Sequence, residues 1–435
     1  MRNQKIITLS EEYLAKIASA VLLPLKNGDC VSCMFAAGGG KNTLIQYFLT
    51  NDNIIQKIFG DQYKKTLFVY VDPNEVLDIS SQAYLSLILT NLIRRMNEEK
   101  IEVTQVENPL MTVKKNLENL IDLGWSVVFV LNDFEFTVSL PISIFTNMES
   151  ILSVDKSRIV YLFLSSINLL NENVLHNFHS LKYAITRKVR YFSLFNREET
   201  DRLVDQTSKK IKLKVSDTLR YTLHELCGGH PRLLKYSLHL IQEEYKEDLK
   251  DDNKLRSFLY THPQLKIVCG DIWNFLSEKE RETLNSIATT GTTSQTQEEE
   301  LSYLVNLGLV KENSKKKYKV FGTLFEELIK KKLPQHTLTY NAETKKLYYD
   351  RRSCEDKFTL QEFKLLVYFI THEDTLITRD QVAEAMWGKS YVDKYSDWSI
   401  DKTVSILRKK LDALGFPSEH LVTLKKRGFS FSNKL

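Results

Sequence analysis

Four clusters in this chain carry residue types that could do chemistry. The first is Ala36-Ala37-Gly38-Gly39-Gly40-Lys41-Asn42-Thr43, lying between an apolar run and an amphipathic one. It approximates the pattern G-x-x-x-x-G-K-[ST], in which backbone N–H groups cradle phosphates, the lysine reaches the β- and γ-phosphates, and the hydroxyl holds Mg²⁺. Gly40 and Lys41 are in place, but Phe35 stands where the first glycine belongs and Asn42 where Ser or Thr belongs. The second cluster ends the apolar run "VVFVL" in Asn132-Asp133-Phe134-Glu135. At such a place one acid secures Mg²⁺ and the next polarises the attacking water. The third comprises Ser165 and Ser166 after "YLFL", and Arg232 at the start of a helix after Gly228-Gly229-His230-Pro231. The fourth is basic. Lys402, Thr403, Ser405, Arg408, Lys409 and Lys410 lie off the apolar stripe Ile400, Val404, Leu407, Leu411, and Lys425, Lys426 and Arg427 precede Gly428 in a hairpin-like segment. A helix of this kind fits a major groove, and a basic hairpin tip meets phosphates or the minor groove.

Both positions that should grip Mg²⁺, Asn42 and Asn132, carry an amide. An amide oxygen can ligate a cation or its water shell but brings no charge. Since the metal neutralises charge developing in phosphoryl transfer, hydrolysis should suffer more than binding. The expectation is therefore a site for ATP or ADP built from Gly38, Gly39, Gly40, Lys41, Asn42, Thr43 and Arg232. Asp133 and Glu135 are the remaining catalytic acids, Asn42 and Asn132 the metal positions if Mg²⁺ is bound at all, and turnover should be slow or absent. Cys30 and Cys33 have C-x-x-C spacing, but they sit in an apolar run with no second pair, so a buried strand is the better reading.

The elements that must position these clusters follow from the hydrophobic pattern. The chain has 435 residues, 43% hydrophobic and 26% charged, with a net charge of +5. That describes a globular protein of several domains whose basic surface must be local. No apolar run is long enough to span a bilayer and the start lacks a signal-peptide layout, so no membrane and a cytoplasmic location are expected. Short apolar runs alternate with amphipathic stretches, which argues for a parallel sheet with helices on both sides. Strands are expected at "CVSCMFAA", "KTLFVYVDP", "WSVVFVLNDFE" and "RIVYLFLSS", with helices at 80–100 and around Met111 to Leu123. After residue 196 the pattern turns helical, opening with an Asn cap and an acidic turn. Residues 277–332 outline a small winged helix with a basic hairpin "KENSKKKYKV", expected to pack between neighbours rather than touch DNA. The fold expected is α/β: a P-loop NTPase-like domain (1–190), a helical lid (191–265), a winged-helix-like middle domain (266–334) and a winged helix (335–435).

In the order "AAGGGKNTL", "VVFVLNDFE", "YLFLSS", "FSLFNREET", "GGHPRLLKYSL", residues 10 to 260 resemble the STAND and AAA+-like P-loop ATPases, which are regulatory switches. Residues 336–435 resemble the winged-helix effector domain of response regulators of the OmpR and PhoB type. "KFTLQEFKLLVYFITHEDTLITRDQVAEAMWG" is similar to its middle, "SIDKTVSILRKKLDALG" to its recognition helix and "LVTLKKRGFSFS" to its wing. The resemblance maps the DNA-facing arginine to Arg408. The segment is only mildly basic, with 17 Lys and Arg against 14 Asp and Glu, a net of +3. Strong nonspecific affinity is not expected, and self-association would help.

Together these features imply a nucleotide-binding switch that binds double-stranded DNA and regulates transcription, with a homo-oligomer or a signalling protein as a further partner. Two other readings compete. One is a DNA-assembling ATPase of replication-initiator or transposition type, which would need intact Mg²⁺ ligands. The other is a STAND-type defence or signalling protein whose winged helices contact proteins.

Overall fold

The computed structural model describes residues 9–245, 249, 251–313, 317–332, 337–342, 344–349, 352–388, 396–425 and 427–433. The boundary expected at 334/335 and the side chain of Lys426 lie outside the described residues. Five parallel strands, β1 (Val31–Phe35), β2 (Thr66–Val71), β3 (Ser126–Leu131), β4 (Ile159–Ser165) and β5 (Val189–Phe192), form one sheet in the order β2-β3-β4-β1-β5. β4 is buried at every position, as a strand covered on both faces must be. Its apolar run has no polar alternation for that reason. Helices Ser81–Glu98 and Pro109–Asp122 connect β2 to β3, and Ile142–Leu152 connects β3 to β4. Each buries an apolar stripe against the sheet. The carboxyl end of β1 lies between β4 and β5, where open α/β sheets form their ligand sites.

Helix Arg197–Ile211 begins at the expected cap, Asn196, whose side chain accepts the Glu199 N–H at 2.8 Å. Asp217–Cys227 and Pro231–Glu243 follow, separated by Gly228-Gly229-His230. Both glycines have positive φ, and a Cβ on either would collide with a carbonyl: Phe321 for Gly228, Phe195 for Gly229. Residues 277–332 form helices Glu278–Thr290, Glu298–Asn306 and Thr323–Lys332 with the antiparallel pair β6 (Val310–Glu312) and β7 (Tyr318–Val320). This segment packs on what precedes it. The Leu194 N–H donates to the Leu307 carbonyl at 3.0 Å and Lys311 Nζ to the Gly228 carbonyl at 3.3 Å. Residues 1–331 make one compact unit around a single core.

Residues 332–435 make a second unit with its own core. β8 (Leu338–Asn341), β9 (Lys346–Tyr349) and β10 (Arg352–Ser353) form an antiparallel sheet. Helices Leu360–Thr371 and Arg379–Trp387 open with capping boxes, Thr359 with Glu362 and Thr378 with Gln381. Helix Asp397–Leu414 buries Ile400, Val404, Leu407 and Leu411, the stripe expected from spacing. β11 (Leu421–Leu424) and β12 (Gly428–Phe431) close the unit as a hairpin. Phe429 also bridges to Ile377. Gly428 (φ +136) is needed for that approach, because a Cβ there would strike the Ile377 carbonyl.

Candidate functional site

The glycine loop joins β1 to helix Lys41–Thr50. The Gly39 N–H closes a turn on the Ala36 carbonyl at 2.8 Å, and Gly38 and Gly40 take φ of +75° and +95°. A Cβ on Gly38 would stand 3.0 Å from Arg232 Nε and 3.1 Å from His230 Cε1, so the start of helix Pro231–Glu243 lies directly on the loop. His230 fastens it there. Wholly buried, His230 caps helix Pro231–Glu243 through Nδ1, which accepts the Leu233 N–H at 3.3 Å, while Nε2–H donates to the Ala37 carbonyl at 2.9 Å. Burial first, with the nearby Arg232 charge adding to it, pushes its pKa down from 6.5 to about 4, so the ring is neutral.

The Lys41 ammonium, nearly buried, forms an ion pair with Asp133 and lies 3.6 Å from Glu135. Asp133 adopts a left-handed backbone conformation (φ +43), which Asp tolerates better than most residues. Glu135 Oε1 accepts the Ser166 N–H at 3.1 Å and its Oε2 is buried without a hydrogen-bond partner. Asn132 is fully buried. Its Nδ2 donates to Asp72 Oδ2 at 3.2 Å and Asp133 Oδ2 at 3.1 Å, and Oδ1 has no partner. Carboxylates only accept, which fixes that amide orientation. Asn74 Nδ2 bridges the same two acids at 2.8 and 3.0 Å. Asn132 therefore holds two carboxylates together where an aspartate would have repelled them.

Two hollows meet at the loop. One of about 570 Å³ is lined by Gly38, Lys41, Asn42, Asp133, Ser166 and Arg232, among others. The other, of about 300 Å³, has apolar walls from Tyr13, Phe35, Phe192, Phe195 and Leu203. Gly40, Thr43, Pro231 and Lys235 line both. Phe35 stacks on Phe192 with ring centroids 4.3 Å apart, so the residue replacing the first glycine forms a wall of the apolar hollow. A polar, glycine-lined cleft joined to an apolar one suits a nucleotide, with phosphates at Lys41 and the base among the rings. Arg232 reaches the cleft but its guanidinium lies 3.4 Å from Asp271. Asn42 and Thr43 are exposed at the cleft. For a metal the donor set is poor: among the described residues no three His, Cys, Asp or Glu side chains are arranged to hold an ion, and Asp133 is committed to Lys41.

In the second unit the basic cluster divides. Trp398, Lys402, Ser405 and Lys409 recur at i, i+4, i+7 and i+11, opposite the buried stripe, and all are exposed. Thr403 is half-buried and donates to the Ser399 carbonyl at 2.9 Å. Arg408 corrects the mapping made from sequence, because it is turned inward. Its guanidinium donates to the Leu421 carbonyl at 3.0 and 2.6 Å and to Thr423 Oγ1 at 2.8 Å. Lys410 pairs with Glu362 at 2.6 Å. Only Lys409 of the Arg408-Lys409-Lys410 run faces out, since Arg408 supplies donors to the Leu421 carbonyl of β11 and Lys410 is drawn to Glu362. Lys425 and Arg427 are exposed at the hairpin. Arg379 pairs with Asp397 at 3.3 Å and Asp401 at 2.8 Å, offsetting one of their two charges.

Asp72, Asn74, His230 as a clamp, and Trp398 are candidate site residues that the sequence pattern does not single out. "YVDPN" reads from sequence as the end of a strand, although an Asp-Pro-Asn corner beside a phosphate loop is a usable signal.

Comparison with known proteins bears on both units. Residues 355–431 match the family described as "Transcriptional regulatory protein, C terminal". The chain is 32% identical over 84 residues to the uncharacterized transcriptional regulatory protein YkoG of Bacillus subtilis (strain 168), which takes in 19% of this chain and 35% of that one. It thus spans about a third of the length of that curated relative. Among solved structures it is similar to the Walker-type ATPase of Pyrococcus abyssi (TM-score 0.48, 12% identity, 74% of this chain and 96% of that one). It is also similar to the ORC2 protein of Aeropyrum pernix (TM-score 0.40, 14% identity, 76% and 96%). The second unit thus carries an OmpR/PhoB-type transcriptional regulatory domain, and the first a P-loop, five-stranded parallel sheet with helices on both sides. Among the described residues no helix is long and apolar enough to cross a membrane.

Proposed function

We propose that the chain is a transcriptional regulator that binds duplex DNA through helix Asp397–Leu414 and the β11–β12 hairpin, under the control of ATP or ADP held by the first unit. The observation that carries the DNA reading is the exposed Lys402, Ser405 and Lys409 stripe, inside a segment matching a transcriptional regulatory family and opposite that helix's buried face. Lysines on this face reach phosphates, and Ser405 reaches base edges or phosphates. For the nucleotide, the Gly38–Gly40 loop would cradle phosphates, Lys41 and Arg232 would bind them, and the rings around Phe35 would take the base.

Turnover is slow in this reading. Asp133 is neutralised by Lys41, Glu135 is anchored by the Ser166 N–H, and neither asparagine supplies charge for a metal. Binding phosphate requires the Lys41 ammonium to exchange Asp133 for the ligand, so the loop works as a holder rather than a motor.

Both arms are testable on the full chain. Duplex affinity should fall with salt, and Lys402→Ala with Lys409→Ala should flatten the log–log slope by roughly 0.9 for each phosphate no longer neutralised. An unchanged slope rejects the DNA-facing stripe. A fluorescent ATP analogue should bind saturably with or without Mg²⁺, and brisk Mg²⁺-dependent turnover would reject the holder.

A further inference from the structure

Trp398 is 70% exposed in the first turn of helix Asp397–Leu414, and Ile406 is 38% exposed two turns on. Trp398 lies in the outward stripe with the lysines and Ser405, Ile406 lies at its edge, and Lys402 Nζ is 4.8 Å from the Trp398 ring centroid. Burying the indole and the Ile406 side chain against an apolar group on binding is favourable in proportion to the area removed from water. We infer that Trp398 and Ile406 read thymine 5-methyl groups in the major groove, so that the target of this protein is defined by thymines as well as by phosphate contacts. The inference rests on the proposed DNA binding by this helix.

The chemistry fits the occupant. The outward face offers ammonium groups, one hydroxyl and two apolar groups, and the two acids beside it, Asp397 and Asp401, are paired with Arg379. Arginine, the usual partner of guanine, is missing from the stripe because Arg408 is bound to β11. In the major groove the only apolar group on a base edge is the thymine methyl. Trp398 and Ile406 are eight residues apart, which is about 12 Å along a helix, so the two read different base pairs.

The test needs no folded variant to succeed. Full-length protein selects duplexes from a random pool, and each thymine in the selected site is then replaced by uracil, which deletes only the methyl. Uracil at the two read positions should weaken binding about fourfold each, the transfer value of one methyl. Trp398→Ala should lose the thymine–uracil difference at one position while keeping the salt slope of the parent. Equal affinity for thymine and uracil duplexes overturns the inference, as does a Trp398→Ala protein that still discriminates at both. Absence of any salt-dependent duplex binding would instead overturn the underlying DNA reading, which separates the two failures.

Discussion

Asn132 and His230 show how single side chains set the character of the cleft at the glycine loop. Asn132 joins Asp72 to Asp133 through its amide hydrogens. Asn132→Asp would crowd a third carboxylate among acceptors, costing about 2 kcal/mol without a cation. Its melting temperature should drop by several degrees and recover when Mg²⁺ is added, while the parent responds little to Mg²⁺. A drop that Mg²⁺ does not reverse would remove the metal-position reading of this residue. His230 gives a pH signature. Its folded pKa of about 4 lies below the ordinary 6.5, so the unfolded chain binds the proton first. The stability from the neutral ring is fully present above pH 6.5 and is lost as pH falls towards 4, roughly 2 kcal/mol of it by pH 5. Denaturant melts of His230→Gln at pH 7.5 and pH 5 should differ by correspondingly less than those of the parent. At this scale the sequence revealed Gly38, Gly40, Lys41 and the two asparagines, because those identities are tied to a local motif. It concealed Asp72 and His230, whose partners lie 60 and 193 positions away.

Helices and hairpins were legible where a local rule governs them. The stripe Ile400, Val404, Leu407, Leu411, the Asn196 cap and four of the five sheet strands follow from spacing and capping. β5 was missed because it is four residues long and carries Arg190 among only partly buried positions. The direction of Arg408 was also unreadable, since a helical wheel places it near the edge of the polar face and only the hairpin draws it in. Arg408→Ala should therefore destabilise the second unit by about 1–3 kcal/mol, the value of charged hydrogen bonds to a buried carbonyl, and leave the salt slope of DNA binding unchanged. A flattened slope with unaltered stability would return Arg408 to the DNA face.

The two units have separate cores, one running from Leu14 to Ile329 and the other from Leu338 to Phe431. Heating should give two transitions: nucleotide should raise the one belonging to residues 1–331, and duplex DNA the one belonging to residues 332–435. A single transition shifted by both ligands would mean one cooperative block. The sequence by itself determined the α/β class, the phosphate loop, its departures at Phe35, Asn42 and Asn132, and the winged-helix end, since each is encoded within a few dozen contiguous residues by period, cap or glycine. Only the tertiary structure decided that Phe35 walls an apolar hollow, that Asn132 bridges acids just beyond the ends of β2 and β3, that Lys41 rests between Asp133 and Glu135, and that Arg408 turns in while Trp398 turns out. Those facts depend on which distant backbone groups are left needing a partner, and chain neighbours carry no record of that.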